Sequence, residues 1–100
     1  MSERRRYERK PVTVPVNVST RIRRDRVGVT RDLSASGVLF HSVSKFEPGE
    51  NVVLMFKVNK RHGSTTGRVV RSVANDNADT VFRYLTAVCF DAPLLDLELA

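Results

Sequence analysis

The stretch "VTVPVNVST", residues 12–20, constrains this chain more than any other. Valine occupies positions 12, 14, 16 and 18, and Thr13, Pro15, Asn17 and Ser19 alternate with it. β-Branched residues at a period of two make a half-buried strand, because successive side chains point to opposite faces of the pleat. Pro15 has no amide hydrogen for a ladder, which places it at an edge or a bulge.

Five further segments read as strands, the fourth strand of the chain being apolar on both faces. They are "VGVTRDLS" (27–34), "SGVLFHSV" (36–43), "NVVLMFKV" (51–58), "STTGRVVRSVA" (64–74) and "TVFRYLTAVCF" (80–90). Polar or Pro-Gly turns separate them: "RRDR" at 23–26, "FEPGE" at 46–50, "NKRHG" at 59–63 and "NDNAD" at 75–79. Six short strands with turns at intervals of roughly ten residues predict an all-β fold, a six-stranded antiparallel β-barrel in which closure removes exposed edges. Alternation puts the phenylalanines and Tyr84 in the core, and Cys89 is also expected there. The Asp91-Ala92-Pro93 sequence resembles a cap with proline in a first helical turn, so a short C-terminal helix or turn is expected.

A chain of 100 residues makes one domain. We read residues 1–11 as a basic arm and 12–100 as the barrel. A single cysteine makes no internal disulfide, which suits a reducing compartment. No apolar run reaches the ~18–20 residues of a membrane-spanning helix. The N-terminus has charge without an apolar segment behind it, unlike a secretory signal. A cytoplasmic location is expected.

The net charge of +6 is unevenly distributed. Residues 1–31 carry ten cations and three acids, whereas 32–100 carry seven cations and eight acids. Thirteen of the seventeen cations are arginine. Its planar fork suits bidentate contact with phosphate or a guanine edge, where lysine acts as a point charge. Most of the N-terminal excess lies in "RRRYERK", residues 4–10.

A second polar group stands in "DLSASG", residues 32–37. In an extended chain the side chains of Asp32 and Ser34 point to the same side. One is a carboxylate acceptor and the other a hydroxyl that donates or accepts. Gly37 permits a positive φ or a close backbone approach. A carboxylate here accepts from guanine N1–H and its 2-amino group, while arginine forks match O6 and N7. The two segments together suit a guanine nucleotide bearing phosphates.

Arg5-x-x-x-Arg9, then a valine-rich strand, then Asp32-x-Ser34-x-x-Gly37 resembles the PilZ domain family. Each half of the pattern is common alone, but their order and spacing on six strands make a specific joint signal. The resemblance spans essentially the whole chain. It implies a six-stranded barrel that binds the bacterial second messenger cyclic di-GMP. It further implies that Arg5 and Arg9 clasp the ligand's phosphates and guanines, with Arg6 assisting. Asp32 and Ser34 would bond a guanine, and Gly37 would shape the turn. Arg4 and Tyr7 are accessory candidates, Tyr7 for stacking on a base. The resemblance also implies that residues 1–11 are a mobile ligand-binding arm that folds over bound ligand, and that the protein signals to a protein partner that is yet unidentified. The chain departs from many members at Ala87, near which they carry glycine.

Other classes fit less well. No enzyme and no cofactor is expected. His41, His62 and Cys89 lack metal-ligand spacing. Ser34, His41 and Asp32 do not make a nucleophilic triad, because nothing supplies an oxyanion hole. No phosphate-binding glycine loop is present. A small basic barrel binding single-stranded nucleic acid is the principal alternative. It is disfavoured because aromatics are few and mostly at core positions. A protein-interaction scaffold without ligand is the third reading, and it conflicts with the intact motif. Arg21, Arg23, Arg24 and Arg26 read as a solvated hairpin, and Arg31 as surface.

Overall fold

In the computed structural model, residues 10–58, 61–76 and 80–93 are described. They form seven strands: β1 (Lys10–Pro11), β2 (Pro15–Ser19), β3 (Arg26–Leu33), β4 (Gly37–Ser42), β5 (Asn51–Val58), β6 (Arg61–Ala74) and β7 (Tyr84–Phe90). Every pairing is antiparallel, in the order β1-β3-β2-β5-β6-β7-β4. β4 also pairs with β3, so β2 to β7 close into a six-stranded barrel. Among the described residues there is no helix.

The alternation read from the sequence places the core. Val16 and Val18 on β2, Val38 and Phe40 on β4, and Val52, Leu54 and Phe56 on β5 all point inward and are buried. Leu33, Val69, Val88 and Phe90 add to the lining. Phe46, from the connection after β4, enters the barrel and is fully buried. It meets Phe40 edge-on at 6.4 Å between centroids, and Phe56 meets Phe90 at 6.2 Å. Such edge-to-face pairs add to the gain from burial alone.

A buried file of hydroxyls crosses this core. Thr86 Oγ1 lies 2.8 Å from Ser72 Oγ and 3.2 Å from Ser42 Oγ. Ser42 donates to the Ser44 carbonyl at 2.7 Å, and the Phe46 amide donates to Ser72 Oγ at 3.2 Å. The file joins β4, β7 and β6 to the Phe46 plug, and it satisfies groups that would otherwise be costly to bury.

Two register shifts redirect the alternation. On β3, Thr30 pairs with Phe40 but Asp32 pairs with Leu39, leaving Arg31 as the extra residue. Thr30 and Leu33 therefore both face inward, three positions apart. On β6, Val69 pairs with Val88 but Arg71 pairs with Ala87, leaving Val70 extra and 53% exposed. Bulges of this kind bend a strand and help a small barrel close.

Several sequence expectations change. Cys89 is exposed rather than core, because it falls between inward-facing Val88 and Phe90. Phe82 and Tyr84 are half-buried. β7 begins at Tyr84 and not at Thr80, and Val81 is 69% exposed. β6 begins at Arg61, so His62 and Gly63 belong to a strand and not a turn. Pro15 is neither at an edge nor in a bulge. It is the first residue of β2, and pairing with β5 starts at Val16, where an amide is present. Arg23 is not simply solvated: its guanidinium lies 5.8 Å from the centre of the Phe46 ring. The expected C-terminal helix or turn falls largely on residues 94–100, outside the described residues.

Candidate ligand-binding site

The Asp32-x-Ser34-x-x-Gly37 segment forms the hairpin between β3 and β4. Leu33 pairs with Val38, and the Ser34 amide donates to the Gly37 carbonyl at 3.0 Å. Ser34 Oγ accepts from the Ser36 amide at 3.2 Å and lies 3.1 Å from Ser36 Oγ. Serine hydroxyls stabilise turns in this way by standing in for a backbone acceptor. Ser34 is therefore buried, whereas Asp32 is half-exposed. Their side chains share one hairpin but not one environment.

Gly37 serves by close approach and not by a left-handed backbone. A Cβ placed on it would lie 2.6 Å from the Val88 carbonyl oxygen. Its absence lets β4 seat against β7 with Gly37 opposite Cys89. The Ser36 carbonyl then accepts from the Phe90 amide at 2.9 Å, tying the hairpin to the end of β7.

The start of the described chain runs alongside this hairpin. Lys10 pairs with Leu33, and Pro11 pairs with Asp32. The pairing passes through Thr30, whose buried hydroxyl fills the gap between β1 and β2. Thr30 Oγ1 accepts from the Val14 amide at 2.9 Å and donates to the Val12 carbonyl. The Val12 amide donates to the Arg31 carbonyl at 3.2 Å, and the Thr30 amide donates to the Val14 carbonyl at 2.9 Å. Arg4, Arg5, Arg6, Tyr7 and Arg9 lie outside the described residues.

Thr30 carried no signal in the sequence, since a lone inward threonine on a strand is ordinary. Arg71 was also missed. The pairings Asp32–Leu39, Leu39–Ala87 and Ala87–Arg71 put a half-exposed carboxylate and an exposed guanidinium at opposite ends of one cross-strand row. Three strand spacings separate them, about 14 Å between backbones. Only the bulge at Val70 gives Arg71 that partner, and bulges are hard to foresee from residue pattern.

The described residues also line two depressions away from the hairpin. One, of about 790 Å³, is bounded by Ser19, Ile22, Glu50, Val53, Thr66 and Asp91 among others. The other, of about 380 Å³, is bounded by Arg23, Arg26, Val43, Ser44, Lys45 and Tyr84. Among the described residues no cluster of three metal-ligating side chains exists. No helix among them is long and apolar enough to cross a membrane.

Comparison with known proteins gives a consistent result. The PilZ domain family model matches residues 3–97. No curated protein sequence matches. Among solved structures, the chain is similar to the inhibitor of motility MotI/DgrA of Bacillus subtilis, with a TM-score of 0.72 and 16% identity. That match covers 94% of this chain but only 45% of MotI/DgrA. The chain is also similar to the PilZ domain of CeSA from a cellulose-synthesizing bacterium, with a TM-score of 0.65 and 21% identity. Here 88% of this chain and 84% of the other are covered.

Proposed function

The chain belongs to the PilZ domain family, and from that premise we propose that it is a receptor for cyclic di-GMP that signals to a partner protein and catalyses no reaction. One observation carries the reading. The strand pairing Lys10–Leu33 and Pro11–Asp32 lays the end of the basic segment directly beside the Asp32 hairpin. Arg9 precedes Lys10 by one peptide unit, so the covalent chain tethers it within about 4 Å, Cα to Cα, of a residue in that ladder.

Each group has a task in this reading. Asp32 accepts from the N1–H and 2-amino groups of a guanine. Ser34 holds the hairpin and offers its hydroxyl to the same base. Gly37 keeps the hairpin close to β7. Arg5 and Arg9, assisted by Arg6, supply forks for phosphate and for the purine's other edge. Arg4 and Tyr7 flank them. Arg71 places a further fork at the far end of the cross-strand row. Ligand binding orders the arm against the barrel, and the altered surface is what the partner reads. The protein works in the cytoplasm and needs no cofactor.

Calorimetric titration with cyclic di-GMP tests this. We expect saturable binding to the wild type. The Arg9→Ala variant should lose at least about tenfold in affinity, as for removal of a charge-assisted hydrogen bond. GTP at the same concentration should give no saturable heat. Folded protein that gives none with cyclic di-GMP would refute the reading.

A further inference from the structure

The "RIRRDR" run, residues 21–26, is not used by the messenger site. Strand register places its far end at the opposite mouth of the barrel. Val18 pairs with Arg26 there, and Ser42 pairs with Tyr84. Lys10, Leu33 and Gly37 lie at the other end of the same strands. Six to eight residues of strand separate the two mouths, about 20 Å.

Three cations converge at this mouth from three different segments. Arg26 starts β3, Arg23 comes from the connection before it, and Lys45 from the connection after β4. Arg23 is held in place: its Nη1 donates to the Lys45 carbonyl at 2.6 Å, and its guanidinium rests over the buried Phe46 ring. A cation fixed by packing loses less entropy on binding than a free one. Half-buried Tyr84 adds an aromatic wall. Among the described residues no carboxylate lines the depression; Asp25, next in sequence, is outside the lining.

The adjoining outer wall is apolar. The Val43 amide donates to the Val27 carbonyl at 3.4 Å, and these two valines are 47% and 52% exposed. Cations beside exposed aliphatic side chains make a surface with two requirements, negative charge and apolar contact.

We infer that this mouth docks an acidic, aliphatic segment of the partner protein. Carboxylates of the segment meet Arg23, Arg26 and Lys45, and its aliphatic side chains cover Val27 and Val43. Single-stranded nucleic acid meets the charge requirement but not the apolar one. It also needs exposed aromatic faces for its bases, and the described aromatics here are buried or half-buried. The inference specifies the partner for the output half of the function proposed above, and it does not depend on the messenger half.

The test uses fluorescence anisotropy with a labelled synthetic peptide of alternating Asp, Leu and Glu residues. A lysine-for-acid peptide of equal length and a single-stranded oligodeoxythymidine are the comparators. Wild-type protein should bind the acidic peptide in preference to both. The double variant R26E/K45E should bind it at least about tenfold more weakly, because like charges then face each other. The variant R68E, with an exposed cation on β6, should change binding by less than about twofold. Circular dichroism melting of all variants checks the fold. Equal loss in R68E, tighter binding of the oligonucleotide, or no peptide binding by the wild type would each overturn the inference. Cyclic di-GMP titration of the same proteins separates the two claims. Peptide binding without messenger binding keeps the docking surface and removes the receptor. Messenger binding without peptide binding does the reverse.

Discussion

Thr30 shows how one hydroxyl positions a segment that it does not belong to. Its oxygen bonds both the Val12 carbonyl and the Val14 amide, in the gap along β3 between its ladder with β1 and its ladder with β2. Replacing it with valine keeps shape and burial but leaves those two backbone groups unmet. We expect Thr30→Val to cost about 1–3 kcal/mol in denaturant unfolding. Cyclic di-GMP affinity should fall as well, although Thr30 faces the core and touches no ligand. Unchanged affinity in a destabilised variant would show that β1 does not depend on this bond. Gly37 acts by the absence of a side chain. A valine there would meet the Val88 carbonyl, so Gly37→Val should force β4 away from β7. The cost is about 1–3 kcal/mol, typical of overpacking, and is read as a lowered urea midpoint. Gly49 has a different reason: its φ of 88° belongs to the Pro-Gly turn before β5, and a substitution there strains the backbone while meeting nothing.

At the scale of elements, the alternating valines and phenylalanines made all six barrel strands legible, and the Pro-Gly and polar turns separated them. The Asp32 hairpin was legible too, because serine and glycine at that spacing are turn chemistry as well as ligand chemistry. Two things were hidden. The bulges at Arg31 and Val70 arise from barrel closure, a property of the whole sheet that no local window carries. They decide which residues of β3 and β6 face inward, and so they decide the placement of Asp32 and Arg71. Cys89 was misread for a simpler reason. Both faces of β7 carry apolar residues, and apolarity alone does not tell inside from outside. β1 went unseen because two residues show no periodicity, and its partner lies 21 to 23 positions away. This short strand is also the least secured. We expect the amides of Lys10, Val12 and Val14 to exchange fastest among the hydrogen-bonded amides of the barrel in hydrogen-exchange measurements, and to gain protection when cyclic di-GMP binds. Protection gained at β5 and β6 instead would place the ligand elsewhere.

At the scale of the molecule, the hydrogen-bonded circuit from β2 through β5, β6, β7 and β4 back to β3 leaves little freedom for strands to rearrange. In the function proposed here, the messenger binds at one mouth of a stiff body and the partner is anchored at the other, so the arm and the surface it covers are what change on binding and what the anchored partner reads. The exposed thiol of Cys89 gives experimental access to that change. It is the chain's single cysteine, it stands on the outer wall, and it pairs across the β4–β7 seam with Gly37, which has no side chain to crowd it. Nature has thus placed one chemically addressable atom beside the hairpin. A maleimide dye attached there is expected to turn occupancy of the proposed site into an optical signal, with no engineered residue and no competing label.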